Sequence, residues 1–226
     1  MHEPHRNGNR LSVIILGGQD GLVSILGLLL GLSAATSSTR IVIAGGLAMI
    51  FAETLSMAAV AYTSKMAERD HYAAEKRLEN KEVRYKSATE RQEIVDIYSA
   101  KGFSGKLLND IVDHITSNHE LWIDTMMKDE LNLLPVVKKD VYVYSFIVGV
   151  ATFSGAFLPL LPFFFLHVHP ALIGALIISV IALAAVGYYK AFMTLGKPLK
   201  SAFQMVIIGM GAAIAGYLIG LLFKQK

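Results

Sequence analysis

Residues 11–35 read LSVIILGGQDGLVSILGLLLGLSAA, and residues 41–62 read IVIAGGLAMIFAETLSMAAVAY. Each run reaches the ~20 mostly apolar residues that a helix needs to cross the hydrocarbon core of a bilayer. Between them lies only the polar turn Thr36-Ser37-Ser38-Thr39-Arg40, so the two spans form an antiparallel hairpin. Each run carries one acid, Asp20 in the first and Glu53 in the second. Asp20 stands nine residues after its run begins, and Glu53 stands nine residues before its run ends. At ~1.5 Å rise per residue, both carboxylates lie about 13 Å below the same membrane face. An ionised carboxylate at that depth is costly, so an intramembrane acid points to function rather than packing. The pair reads as a cation site on a path through the membrane.

Three further apolar runs follow, at 141–165, 171–193 and 202–223. Pro159 and Pro162 break or kink the first of them near its end, and Pro170 opens the next at its first turn. Gly196-Lys197-Pro198 punctuates the loop before the last. Composition agrees: 54% of the 226 residues are hydrophobic and 17% charged, with a mean hydropathy of +0.49. That is too apolar for an ordinary soluble domain. The expected fold is all-α, a polytopic membrane protein with five transmembrane helices. Its parts are an N-terminal tail with spans one and two (1–63), a helical insert (64–135) and spans three to five (136–226). The leading MHEPHRNGNR is polar, so the first run is expected to be a retained span rather than a signal peptide. Cysteine is absent, which excludes disulfides, thiolate metal sites and thiol catalysis.

Lysines and arginines near span ends set the orientation. Arg6 and Arg10, then Lys65, Arg69, Lys138 and Lys139, then Lys190, Lys197 and Lys200 all fall on one side of a five-span chain. The opposite side carries Arg40, the uncharged loop with His167 and His169, and Lys224 and Lys226. The N-terminus and the insert are therefore expected in the cytosol, with the C-terminus on the far side.

The insert holds 14 of the 18 acids, between Met66 and Glu130. The overall pI of about 9.0 hides this acidic middle, and no basic stripe suits nucleic acid. The pattern predicts helices throughout and no strand. The second span continues into the insert without a breaker. Ser87–Glu90 and Thr89–Gln92 each match a capping box, which predicts a helix from about Thr89 to Lys101, stopped by Gly102. Another starts near Ser104, and a last one covers about 118–133, ended by Pro135.

Gly45, Met49, Glu53, Met57 and Ala61 recur every four residues and share one helix face. Thioethers flanking a carboxylate suit a borderline transition metal better than Mg2+ or Ca2+, although methionine also serves as packing filler. Gly17/Gly21 and Gly27/Gly31 are small-residue pairs that allow close helix approach. In the insert, Glu79/Glu82 and Glu90/Glu93 each occupy one helix face. They flank the predicted turn at 85–88, so an antiparallel arrangement would gather all four. Met126, Met127 and Glu130 add thioethers and a carboxylate; a plain solvated face accounts for the same spacing. Glu68-x-x-His71 is half of a di-iron motif whose second copy is missing. His114, His119, His167 and His169 show no ligand spacing. There is no nucleophile elbow and no P-loop.

Taken together, GGQDGLVSILGLLLGLSAA (17–35), ETLSMAAVAYTSKMAERDHY (53–72), the acidic helices, DTMMKDELNL (124–133) and GKPLKSAFQ (196–204) resemble the vacuolar iron transporter family, from about Arg10 to Leu222. The resemblance implies a five-span homodimer in a vacuolar or cell membrane, with a cytosolic metal-binding domain. It implies a transporter rather than an enzyme, exchanging divalent metal for protons with no prosthetic group. Fe2+ is the expected cargo, with Mn2+, Co2+ and Zn2+ as related ions. The family's cytosolic ligand set falls on Glu79, Glu82, Glu90, Glu93, Met126, Met127 and Glu130. In the membrane Asp20 and Met57 match, whereas Met49 occupies the position of a family acid. Glu53, one turn nearer the cytosol on the same face, is the nearest acid. Two rival functions stand beside this one: a membrane-tethered ferroxidase using the insert, and a metal-sequestering or sensing protein without transport.

Overall fold

Inside a bilayer the backbone has no water to bond, so each apolar run closes into a helix that satisfies its own amides and carbonyls. The structure, a computed structural model, describes residues 5–194 and 196–223, with side chains from residue 11. The side chains of Arg6 and Arg10 and the Lys224/Lys226 tail lie outside the described residues. In chain order the elements are α1 (His5–Ala35), α2 (Thr39–Tyr85), α3 (Ser87–Ala100), α4 (Gly105–Ser117), α5 (His119–Thr125), a π turn (Met126–Glu130), α6 (Lys138–Leu160), a 3-10 turn (Leu161–Phe164), α7 (Val168–Met193) and α8 (Pro198–Leu222). Among the described residues there is no strand. Five helices, α1, α2, α6 with its 3-10 extension, α7 and α8, are long and apolar enough to cross a membrane. The chain is an all-α integral membrane protein. It divides into two compact units, Met1–Tyr62 with Tyr142–Lys226, and Thr63–Val141.

In the first unit α1 is the central helix, and glycine decides how closely its neighbours approach. Toward α6, a Cβ on Gly17 would come within 2.9 Å of the Val148 carbonyl oxygen, and one on Gly155 would collide with the backbone of Gly18. Toward α8, a Cβ on Gly31 would stand 2.9 Å from the Gly216 carbonyl oxygen, and Cβ atoms on Gly216 and Gly220 would strike the backbones of Gly27 and Gly31. Backbone meets backbone on both sides, the arrangement that lets helices associate without a hydrophobic drive between them. Elsewhere larger side chains fill the core, including Ile25, Leu26, Leu29, Ile50, Leu160 and Phe163. Pro159 lies inside the last turn of α6, and the chain tightens into the 3-10 turn directly after it.

The second unit has its own apolar core of Val83, Ile94, Val112, Ile115, Trp122, Ile123, Met126 and Met127. Burying one such aliphatic side chain contributes about 2 kcal/mol. Its helix boundaries depart from the sequence expectation in two places. The break after α2 falls at Lys86, and α3 begins at Ser87, earlier than the expected Thr89; Lys86 at the N-cap makes no side-chain capping bond. The capping acid required by Ser87, Glu90, is instead turned inward and only 4% exposed. The last helix is capped by Asn118, whose side chain accepts from the amides of Glu120 (3.0 Å) and Leu121 (3.2 Å). It then widens into the π turn, closed by the Leu131 amide donating to the Met126 carbonyl at 3.1 Å. Asn132, with φ of 52°, ends it before Pro135 is reached.

Candidate functional site

In the second unit five glutamates from three elements share one electrostatic neighbourhood. Glu79 and Glu82 come from α2, Glu90 and Glu93 from α3, and Glu130 from the end of the π turn. Glu79 and Glu90 are 5% and 4% exposed. Burial, then the charges of Glu130, Glu90, Glu82 and Glu93, push the Glu79 carboxyl up to about 7. Burial, then Glu93 and Glu82, push Glu90 up to about 7 as well, helped by a side-chain hydrogen bond to Glu93. That bond requires one of the two acids to carry the proton. Glu130 is raised by burial and by Glu93 and Glu82. Lys86 is the cation beside this group, its Nζ 3.0 Å from Glu82. The Glu79 Oε2 atom is buried with no hydrogen-bond partner among the described residues. A buried carboxylate oxygen without a donor is costly, so the cluster is short of positive charge. Protons supply it in the metal-free chain, and an arriving cation would release them.

Met126 and Met127 are wholly buried in the apolar core of the same unit. Both thioethers therefore act as packing groups in this conformation. Among the described residues, no three carboxylate or imidazole groups stand close enough together to clasp one ion.

In the first unit Asp20 and Glu53 approach each other across α1 and α2. Asp20 stands on an exposed face of α1. Glu53, half-buried, takes a side-chain hydrogen bond from Ser24 and feels the charge of Asp20. Its Oε2 atom is buried with no partner among the described residues. Ser24 escaped the sequence reading, although it lies four residues after Asp20 and so shares its helix face. The methionines of the α2 stripe pack: Met49 against the cluster around Leu29 and Ile50, and Met57 against Val13, Ala61 and Val148.

The remaining candidates are dispersed. Glu68 pairs with Lys65, and His71 faces Glu75 at 3.6 Å, so the half-motif Glu68-x-x-His71 points two ways. His119 bonds Asn80 at 3.0 Å.

Comparison with known proteins gives a consistent result. The model of the VIT family matches residues 11–221. Vacuolar iron transporter 1 of Arabidopsis thaliana is 34% identical over 205 residues, spanning 90% of this chain and 82% of that protein. Vacuolar iron transporter 1 of Oryza sativa subsp. japonica is 32% identical over 220 residues, spanning 96% and 87%. The vacuolar iron transporter of Plasmodium falciparum is 29% identical over 228 residues, spanning 96% and 84%.

Proposed function

The chain belongs to the VIT family, and from that premise we propose that it carries Fe2+ out of the cytosol in exchange for protons. The observation that carries this reading is the meeting of Asp20 and Glu53 across two apolar helices, with a buried Glu53 oxygen left without a donor. A carboxylate holds either a proton or a share of a cation, so at such a site metal and proton exclude each other. The insert, 64–135, lies in the cytosol and collects metal with Glu79, Glu82, Glu90, Glu93 and Glu130. Met126 and Met127 turn from packing groups into ligands when an ion draws the acids together, and their thioethers favour Fe2+, Mn2+, Co2+ and Zn2+ over Mg2+ and Ca2+. Asp20, Glu53 and Met57 then pass the ion through the membrane, with Met49 beside them. Two copies assemble about a two-fold axis. The exposure of Asp20 on α1 supports that assembly, since an acid facing lipid is costly.

The test is the purified full chain in proteoliposomes, with Fe2+ entry and internal pH recorded together. Metal entry matched by proton exit is expected. Metal binding without entry would replace transport by sequestration, and oxygen consumption on Fe2+ addition would replace it by ferroxidase chemistry.

A further inference from the structure

Three side chains outside the ligand set tie the π turn to α3. The Tyr98 hydroxyl donates to Asp129 Oδ2 at 3.2 Å, and Lys101 Nζ sits 2.9 Å from the same oxygen. The Lys101 ammonium also lies over the Tyr98 ring, 4.6 Å from its centroid, and that ring packs on Phe103 with centroids 6.0 Å apart. Asp129 thus accepts two bonds on a single oxygen, both from the C-terminal end of α3. It belongs to the π turn, whose other members are Met126, Met127, Lys128 and Glu130. Lys128 is held separately by Asp124 at 2.6 Å. π turns inside helices recur at functional sites because they displace side chains from α-helical register. Here the displaced register leaves both methionines facing the core while Glu130 feels Glu93 and Glu82.

We propose that Tyr98, Lys101 and Asp129 are positioning residues that fix the spacing between α3 and the π turn, and so decide whether the thioethers of Met126 and Met127 join the carboxylates of α3 on one ion. This rests on the reading that the seven residues of the insert bind metal. The clamp touches no ligand. It acts on selectivity, because a loosened π turn removes sulfur ligands and leaves an all-oxygen set. Such a set still suits Mg2+ but no longer favours a borderline metal.

The experiment uses the full chain in detergent, with Co2+ alone and Mg2+ alone as probes, followed by calorimetric titration. Lys101→Asp places a like charge against Asp129. It should weaken Co2+ binding about five-fold, the scale of one partly exposed charge pair, with Mg2+ binding unchanged. Exchanging the two charges, Lys101→Asp with Asp129→Lys, should restore the Co2+ to Mg2+ ratio. Tyr98→Phe keeps the ring under Lys101 and loses one hydrogen bond, so it should lower the ratio by about two-fold and fold normally. A ratio unchanged in Tyr98→Phe and Lys101→Asp, or Co2+ and Mg2+ affinities falling together, would overturn the clamp and leave it a stability feature. If the unaltered chain binds no Co2+, the metal-binding reading of the insert fails first and the clamp falls with it.

Discussion

The two units handle carboxylates in opposite ways. The membrane unit holds two, Asp20 and Glu53, on helices whose neighbours are drawn in until glycine backbones touch. The insert gathers five, and the repulsion among them is strong enough to hold Glu79 and Glu90 near 7. In the first unit low dielectric makes each charge expensive, so a single acid per helix defines the site. In the second, burial is partial and protons are at hand, so acids accumulate and share them. One arrangement suits passing an ion on, and the other suits capturing it.

The comparison breaks most visibly at Asp20. Asp20→Ala should abolish metal flux into proteoliposomes while metal binding to the full chain persists through the insert; normal flux would remove Asp20 from the pathway. Glu53→Gln keeps size and hydrogen bonding but cannot titrate, and it should lose proton-coupled flux. Adding Met49→Glu to that variant returns an acid to the same helix face and should recover part of the flux. Ordinary flux with ordinary proton movement in Glu53→Gln would leave Asp20 as the sole coupling acid.

In the insert, Glu82→Ala and Glu93→Ala should each weaken the same calorimetric binding events by at least about tenfold, since even outer-shell partners of a metal carry that much. Unchanged affinity in both would make the acids a solvated face.

Acidity gives a smaller, graded test. The folded values of Glu79 and Glu90, about 7, lie above the ordinary 4.5. The metal-free fold therefore holds protons that the unfolded chain would release. That stabilising contribution is complete below about pH 4.5 and is lost as pH rises through about 7. The metal-free chain should therefore melt higher at pH 5.5 than at pH 8, the reverse of a salt-bridged carboxylate. Metal affinity should move oppositely, rising toward pH 8, with proton release visible in buffers of different ionisation enthalpy. The smallest effect belongs to Asn118→Ala, which removes a helix cap and should cost about 1 kcal/mol of stability with flux per folded molecule unchanged.

Much of this was legible in the sequence because run length alone decides a membrane span, and the five apolar runs became five spanning-length helices. The packing role of Gly17, Gly21, Gly27 and Gly31 was legible for a similar reason, as their spacing is a local property of one helix. The capping boxes misled because Glu90 has two possible uses, capping α3 or entering a buried acid cluster, and only the tertiary fold decides between them. Ser24 carried a weak signal in its spacing from Asp20. Tyr98 and Asp129, 31 residues apart, carried none. The π turn was invisible because its residues read as an ordinary helix end.

That turn has one more consequence. A π turn is an α-helical turn with one residue too many. Deleting any single residue between Met126 and Glu130 would return the segment to α geometry and swing everything after it by about 100° around the axis. Circular dichroism would score such a chain as intact. Its sulfur and oxygen groups would nonetheless be dealt to different faces. Part of the chemical identity of the insert thus resides in a count of residues rather than in their kinds.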